Sequence, residues 1–158
     1  MPLYKTDPFK ILFLDIETVS QAEDFNKLDE HWQYLWDGKT QYQRQEETPE
    51  EYYPKRAAVM AEFGKVVCIS CGFLKEIDGH RTFRVHSFYG DDEKELLTDF
   101  AEMLRKHFDK DYLLCAHNGK EFDFPYLSRR MIVHGIHLPN SLNTSGLKPW
   151  EVPHLDTM

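Results

Sequence analysis

The sequence predicts an α/β fold in which helices flank a mixed β-sheet and a helical insert follows the first strand. Residues 10–16 form an almost continuous apolar run that ends beside a carboxylate, as in a central strand covered on both faces. Residues 66–74 and 81–89 are strand-like runs on either side of Asp78-Gly79, a dipeptide typical of a hairpin turn. Helical and strand-like segments then alternate to the end of the chain, which is typical of an α/β fold.

The segment after the first strand is predicted to be largely helical. Apolar side chains recur at helical spacing over residues 21–37, which indicates an amphipathic helix. Residues 38–56 are polar and acidic, and residues 57–63 could add one or two helical turns closed by Gly64. The insert as a whole, residues 19–64, is longer than a simple connection between strands requires.

Helices and strands alternate after the hairpin. Asp92 is placed to cap a helix, with Glu95 in the position of a capping-box partner. The elements that follow this helix are a short buried strand, a helix with Pro125 in its first turn, and a final strand that begins within residues 152–158. A three-stranded meander followed by helix, strand, helix and strand is the order expected of an RNase H-like sheet with flanking helices.

Length and charge limit the classes of function. The 158 residues suit one globular domain, so residues 1–158 are interpreted as a single domain that contains the insert. The chain has 19 Lys and Arg against 27 Asp and Glu, a net charge of −8. This balance argues against non-specific coating of nucleic acid, which needs positive charge. It permits a metal-dependent enzyme, because divalent cations can bridge an acidic protein to an anionic substrate.

The apolar runs and the cysteines predict a cytoplasmic protein that does not engage a membrane. The longest apolar run, Ile11 to Leu14, is too short to cross a bilayer, and no basic-then-apolar leader opens the chain. An odd number of cysteines, 3, suits a reducing compartment. Cys68 and Cys71 form a C-x-x-C pair, but residues i and i+3 of a strand point to opposite faces. Both, like Cys115, are therefore predicted to be buried strand cysteines and not zinc ligands.

Two carboxylates lie at the end of the first predicted strand. Asp15 and Glu17 are residues i and i+2, so they share one face with Cα atoms about 6–7 Å apart and can converge on one hard cation. Ile16 between them points into apolar packing. Adjacent carboxylates without Lys or Arg nearby repel each other, and a bound Mg²⁺ or Mn²⁺ removes that penalty. The alternative is a strand end that enters solvent, where both carboxylates are ordinary surface residues.

A third carboxylate follows the later buried strand. Asp123 comes at the start of a predicted helix, and His117 and Asn118 lie in the loop before it. Because ligands bind at strand ends in open α/β sheets, this carboxylate can join the two on the first strand. The alternatives are that Asp123 only caps its helix and that His117 only bonds to the backbone.

These two groups of residues resemble the first two motifs of the DEDD 3′–5′ exonucleases. Asp15-Ile-Glu-Thr18 stands on the first strand, and Asn118-x-x-x-Phe122-Asp123, followed by Phe-Pro-Tyr-Leu, stands after the later strand. Within that superfamily, the chain most resembles the editing domains of family B DNA polymerases and the stand-alone predicted exonucleases related to them. The resemblance covers nearly the whole chain in element order.

The resemblance implies a metal-dependent hydrolase that shortens single-stranded nucleic acid, DNA in preference to RNA, from its 3′ end. It makes Asp15, Glu17 and Asp123 the catalytic carboxylates and the ligands of two Mg²⁺ or Mn²⁺ ions, which activate a water and stabilise the leaving oxygen. The residues that would lie along the terminal nucleotides are Thr18, His117, Asn118 and Phe122. The implied partner is a DNA polymerase or another replication or repair protein.

The third motif of the family is not found in residues 1–158. That motif is a helix in which a His or Tyr, which orients the attacking water, precedes a final Asp. Leu155-Asp156-Thr157 resembles the strand that leads towards the motif, so Asp156 is interpreted as a structural residue. We expect the chain to be a truncated piece with little or no activity by itself, continued by a Tyr-x-x-x-Asp helix in preference to a His-x-x-x-x-Asp helix. A naturally shortened, inactive relative is the alternative.

Aromatic and basic side chains suggest further contacts. Trp32 and Trp36 are predicted to pack the insert on the sheet, and the alternative is that the aromatic residues of the insert form a wall for stacking bases. Arg129-Arg130 is the best local patch for phosphate, and a solvated helix face is equally consistent. The basic residues that could meet phosphates are Lys55, Arg56, Lys65, Lys120, Arg129 and Arg130.

Two other functions remain open. One is a non-catalytic nucleic-acid-binding or polymerase-associated module that keeps the fold without the chemistry. The other is a different RNase H-like enzyme, such as a nuclease that cuts structured RNA. Metal-dependent binding separates the exonuclease from the binding module, because a pure binding module is indifferent to divalent cations.

Overall fold

The computed structural model describes residues 6–108 and 111–158. This part of the chain divides into two compact units. The first unit runs up to Glu17 and resumes at Val67, and the second unit is Thr18–Val66. No helix among the described residues is long and apolar enough to span a bilayer.

A mixed β-sheet forms the framework of the chain. Within the described residues, its strands are β1 (Ile11–Ser20), β2 (Gly64–Ile77), β3 (His80–Tyr89), β4 (Leu113–Ala116) and β5 (Leu155–Asp156). Their order in the sheet is β3-β2-β1-β4-β5. The β2–β3 pair is antiparallel, whereas β4 runs parallel to both β1 and β5. The predicted α/β, RNase H-like mixed sheet with flanking helices is confirmed.

The hairpin between β2 and β3 turns at the predicted dipeptide. Asp78 and Gly79 have φ angles of 51° and 76°, as a two-residue turn with both central residues in the left-handed region requires. The register places Ile77 opposite His80 and Cys68 opposite Tyr89. A residue that tolerates positive φ therefore occupies each central position of the turn.

 The predicted helix over residues 21–37 is wrong in its first part: Phe25–Lys27 is a single 3₁₀ turn, and α1 is Glu30–Thr40. Asp29 explains the later start, because its side chain accepts a hydrogen bond from the backbone N–H of Trp32 at 2.9 Å and so caps the helix there.

Helix α2 (Pro49–Arg56) lies in the polar segment of the insert, where the sequence analysis predicts no particular element. Thr48 and Glu51 form a capping box at its start: the Thr48 hydroxyl accepts from the Glu51 N–H, and the Glu51 carboxylate accepts from the Thr48 N–H. The spacing of a Thr and a Glu three residues apart was the available signal for this helix.

The second unit has its own aromatic core. Trp36 is fully buried, and its ring centroid lies 5.0 Å from those of both Tyr53 and Phe63. Its indole N–H donates to the carbonyl of Pro49 at 3.0 Å, so the buried polar atom is satisfied. Trp32 packs edge-on against Phe63. Both tryptophans therefore pack inside the insert itself, and their predicted packing on the sheet stays a prediction.

Helices α3 (Glu93–His107) and α4 (Asp123–Val133) belong to the first unit. The side chain of Asp92 caps α3 by accepting from the Glu95 N–H at 3.0 Å. One face of α3 is completely buried, and the ring of Phe100 lies 5.7 Å from that of Phe88 on β3. Helix α4 begins at Asp123, two residues before Pro125, and this start places a carboxylate at the helix N-terminus.

The cysteines are free thiols on the strands. Cys71 and Cys115 are buried as predicted, and burial raises the pKa of the Cys71 thiol to about 11. Cys68 is only half-buried, so the prediction of a fully buried thiol is wrong at that position. The difference follows from the strand geometry, because residues i and i+3 face opposite sides of the sheet.

Candidate functional site

The second half of β1 presents its carboxylates on one side. Leu14 and Ile16 are buried, whereas Asp15 and Glu17 are exposed. This alternation is the two-residue period of a strand, and it places both carboxylates on the same face. The sequence-predicted geometry of the Asp-Ile-Glu motif is therefore present in β1.

Asp123 is buried at the start of α4, with 2% of its surface exposed. Phe122 holds the N-cap position, and no side chain caps the helix. The carboxylate of Asp123 instead accepts hydrogen bonds from its own backbone N–H and from that of Ile16 on β1. The alternative role as an ordinary N-cap thus does not describe this residue.

Electrostatics connect Asp123 to Asp15. The pKa of Asp123 is raised to about 6, first by burial, then by the negative charge of Asp15, with a smaller contribution from Asp156. The two backbone hydrogen bonds act in the opposite direction. A carboxylate of β1 and a carboxylate of α4 are therefore close enough to repel each other.

The loop between β4 and α4 is held by Asp156 of β5. The Asp156 carboxylate accepts hydrogen bonds from the backbone N–H groups of Asn118 at 2.8 Å, Lys120 at 3.1 Å and Met158 at 3.0 Å. Burial alone would raise the pKa of Asp156, but these bonds and the charge of Lys120 lower it, and the net shift is downward. Asp156 therefore fixes the shape of the loop, in agreement with its interpretation as a structural residue.

The packing of this loop depends on Gly119. A Cβ atom at this position would lie 2.5 Å from the Cβ of Ala116 and 2.9 Å from the ring of Phe124. The preceding residue, Asn118, has a φ of 59°, a left-handed conformation that Asn tolerates better than most residues. The positive φ at Asn118 and the lack of space for a Cβ at Gly119 were not predicted, although the adjacent Asn-Gly pair is a signal for both.

Three residues predicted to contact nucleotides precede Asp123 in the chain: His117, Asn118 and Phe122. They differ in their exposure to solvent and in their contacts. His117 is exposed, and its Nδ1 lies 3.0 Å from the hydroxyl of Thr157. Asn118 is half-buried, and Phe122 is half-buried with its ring 5.3 Å from that of Tyr126. The observed partner of His117 is thus a side-chain hydroxyl and not the backbone.

For two predicted site residues, Glu17 and Thr18, no described contact leads to Asp123 or to the loop before it. Glu17 is the last residue of the first unit before the insert, and it is exposed. Thr18 is the first residue of the second unit and is half-buried. Their assignments as a metal ligand and as a nucleotide contact stay predictions.

The donor set suits a hard divalent cation. Carboxylate oxygens are the ligands that Mg²⁺ and Mn²⁺ prefer, and the repulsion between Asp15 and Asp123 is what such a cation relieves. Within residues 6–108 and 111–158, no three His, Cys, Asp or Glu side chains stand close enough together to form a metal site as placed. The structure therefore shows two converging carboxylates, and a complete ligand set requires further donors.

The predicted phosphate patch on α4 is wrong at Arg130. Its guanidinium is buried and paired with Glu93, which accepts from Nε at 2.9 Å and from Nη2 at 2.5 Å. His134 lies 2.7 Å from the same carboxylate. Arg130 therefore joins α4 to α3 and does not face solvent. Arg129 beside it is exposed.

One family of known proteins matches almost the whole chain. Residues 2–152 match the family described as DNA polymerase family B, exonuclease domain. No curated protein matches the chain. Among solved structures, the family B DNA polymerase from the hyperthermophilic archaeon Pyrobaculum calidifontis is 22% identical, with a TM-score of 0.43. The match covers 84% of this chain and 12% of that polymerase, so the chain corresponds to a small part of its length. On the family match, the chain belongs to the exonuclease-domain family of family B DNA polymerases.

Proposed function

We propose that the chain provides a divalent-metal site for 3′–5′ exonuclease chemistry on single-stranded nucleic acid, with DNA preferred to RNA. The observation that carries the proposal is the approach of Asp15 on β1 to Asp123 on α4, in a chain that belongs to an exonuclease-domain family. Asp15 is exposed, and Asp123 is buried beside it without acting as the N-cap of its helix.

In this proposal Asp15, Glu17 and Asp123 hold one or two Mg²⁺ or Mn²⁺ ions. A bound divalent cation supplies charge neutralisation at the phosphate and makes water more acidic. Asp123 must lose its proton to become a ligand, so proton and metal compete for it up to a pH of about 6. Solvent and substrate oxygens are the additional donors that these carboxylates leave room for.

The loop of residues 117–122 is proposed to position the 3′-terminal nucleotide. His117 offers an exposed imidazole, Asn118 an amide, and Phe122 an aromatic ring at the start of α4. Because Asp156 and the close packing at Gly119 fix the loop backbone, these groups are held in place before a substrate arrives. Thr18 is proposed as a further contact from the strand that carries Asp15.

The metal dependence of oligonucleotide binding tests the proposal. A fluorescent single-stranded DNA oligonucleotide with a free 3′ hydroxyl is titrated with the protein in Mn²⁺ and, separately, in EDTA. We expect tighter binding in Mn²⁺, because the cation links the carboxylates to the terminal phosphate. The gain should disappear in Asp15→Asn and Asp123→Asn and persist in Asp78→Asn, which changes an exposed carboxylate in the β2–β3 turn.

Equal affinity in Mn²⁺ and EDTA would contradict the proposal and indicate a non-catalytic nucleic-acid-binding or polymerase-associated module. An RNA oligonucleotide of the same sequence tests the preference for DNA. The test measures binding and not strand cleavage, because the described residues supply no candidate for the fourth carboxylate that the resemblance implies. A DNA polymerase is proposed as the functional partner, on the family match alone, and cytoplasmic localisation stays a prediction.

A further inference from the structure

Strand β3 forms an outer edge of the sheet. Its neighbour in the strand order is β2, and within residues 6–108 and 111–158 no strand pairs with its other side. β3 pairs with β2 residue by residue from His80 to Tyr89, without a bulge, and it contains no proline. A regular edge strand of this length presents a row of unpaired N–H and C=O groups, to which another extended segment can add.

The side chains of β3 favour a different protein over a second copy as the occupant of this edge. Val85 and Tyr89 expose 67% and 79% of their surfaces, so the strand offers apolar area to a neighbour. Arg81 and Arg84 are exposed as well, and β3 contains no Asp or Glu. A second copy would add two more arginines and no acid to the strand pair, and like charges across a strand pair are unfavourable.

A cavity of about 530 Å³ lies where β2 and β3 meet the end of α3. We call it the aromatic cavity. The ring centroid of Phe108 lies 5.2 Å from that of Phe73 and 4.9 Å from that of Tyr112. Cavities of this size hold ligands in other proteins, and walls made of aromatic rings suit a large apolar side chain. Its apolar lining consists of Phe73, Phe88, Met103, Phe108 and Tyr112.

A second cavity, of about 360 Å³, lies further along β3 beside the first half of α3. We call it the acidic cavity. Residues 86–90 line it without a gap, so the edge of the strand itself forms one wall. Asp91, Glu95 and Asp99 line the other side, are exposed, and form no ion pair within the described part of the chain. Glu95 and Asp99 are four residues apart on α3, where like charges repel, and a Lys or Arg side chain in the cavity would relieve that repulsion.

The two cavities adjoin along the strand, since His86 lines both of them. Phe73 of the aromatic cavity is opposite Arg84 in the register, whereas the acidic cavity extends to Gly90. The centres of the cavities are therefore about four residues apart along β3, or about 13 Å. Side chains four positions apart on a strand share one face, so a single extended segment can fill both cavities.

We propose that the edge of β3 binds an extended segment of another protein, which adds a strand to the sheet. The segment places a large apolar side chain in the aromatic cavity and a Lys or Arg in the acidic cavity. Backbone hydrogen bonds to β3 supply affinity for any extended chain, and the two cavities supply the selectivity. The inference needs neither the candidate metal site nor the proposed function.

Synthetic peptides test the proposal. The probe is a fluorescein-labelled nonapeptide of Thr and Val that contains one Phe and one Lys four positions apart. It is made with Phe first and with Lys first, because strands can pair in parallel or antiparallel fashion. Anisotropy titrations in EDTA should show that one order binds with a Kd below about 1 mM. Replacing its Phe by Ala, or its Lys by Glu, should weaken binding at least about tenfold.

Variants of the protein test each cavity separately. Asp99→Lys should weaken binding of the Lys peptide at least about tenfold and should bind the Glu peptide more tightly than the wild type does. That gain also shows that the variant is folded. Met103→Glu places a charge in the aromatic cavity, so it should weaken the Phe peptide and leave the Ala peptide unchanged. The matched control is Glu46→Lys, the same charge change at an exposed position of the second unit, which should alter affinity less than about twofold.

Hydrogen exchange distinguishes strand addition from binding through side chains alone. Amides of residues 80–90 should exchange at least about fivefold more slowly at saturating probe, because an added strand pairs with the outer edge of β3. Amides of α2 in the second unit should be unaffected.

The inference is overturned if neither peptide order binds, if Asp99→Lys and Glu46→Lys have equal effects, or if the probe binds without slowing exchange in β3. Sedimentation of the wild-type chain covers the remaining occupant, a second copy. We expect a monomer in the absence of peptide. A dimer in which residues 80–90 are protected, and which the probe does not dissociate, would assign the edge to a second copy and overturn the inference.

Discussion

Asp123 is a carboxylate that folding places out of water beside a second carboxylate. Its burial and the charge of Asp15 raise its pKa from 3.8 to about 6. The folded protein therefore binds a proton at Asp123 more tightly than the unfolded chain does. It follows that the contribution of Asp123 to folding becomes less favourable as the pH rises from about 4 to about 6.

Asp123→Asn should stabilise the metal-free protein near neutral pH. The substitution removes the buried charge, and the difference in pKa corresponds to about 3 kcal/mol as an upper value for the gain in free energy of unfolding. The gain should vanish near pH 4, where the carboxyl group is protonated in the folded state. Urea unfolding in EDTA at the two pH values measures it.

The control for this substitution is Asp99→Asn, which changes an exposed carboxylate on α3. It should change the free energy of unfolding by less than about 0.5 kcal/mol. A stability gain of Asp123→Asn that is the same at pH 4 and pH 7 would show that charge is not its cause.

Gly119→Ala should destabilise the protein by about 1–3 kcal/mol, because the new methyl group would overlap Ala116 and Phe124. Gly38→Ala in α1 is the matched control: its Cβ meets no atom within 4 Å, and Ala favours a helix interior by about 1 kcal/mol. Denaturant unfolding should therefore shift in opposite directions for the two variants. Equal shifts would contradict the close approach in the loop.

At the scale of elements, helix α4 is attached to α3 by a buried charge cluster. Glu93 at the start of α3 contacts Arg130 and His134 near the end of α4, and the side chains of Glu93 and Arg130 are each 7% exposed. Asp123 is the first residue of α4. The cluster therefore helps to set the helix that carries the candidate site.

Glu93→Gln should cost about 3–5 kcal/mol of unfolding free energy, because it leaves the Arg130 guanidinium buried without its negative partner. The double variant Glu93→Gln/Arg130→Met should cost less than Glu93→Gln alone, since it removes both charges. Urea unfolding of the single and double variants measures the coupling. A double variant less stable than Glu93→Gln would show that the charges act separately.

Local signals predicted most of these elements. The hairpin turn at Asp78-Gly79, the apolar period of α3 and the alternation of Asp15 and Glu17 depend on neighbouring residues, and they occur as predicted. The start of α1 was misplaced because Asp24 and Asp29 both have the chemistry of a cap, and only the later one begins the helix. Arg130 was misjudged because its partner, Glu93, is 37 residues away in sequence.

At the scale of the whole molecule, a net charge of −8 must be reconciled with the proposed anionic substrate. The carboxylates of the candidate site offer the means, because they attract a divalent cation. The sequence motifs indicated this feature.

Direct titration of the metal-free protein with Mn²⁺, followed by calorimetry at pH 7, tests the central claim. The account predicts that the wild-type chain binds at least one ion and that Asp15→Asn and Asp123→Asn each weaken binding at least tenfold. Asp78→Asn should leave it unchanged. Binding that is absent, or equal in wild type and in both site variants, would contradict the assignment of these carboxylates as metal ligands.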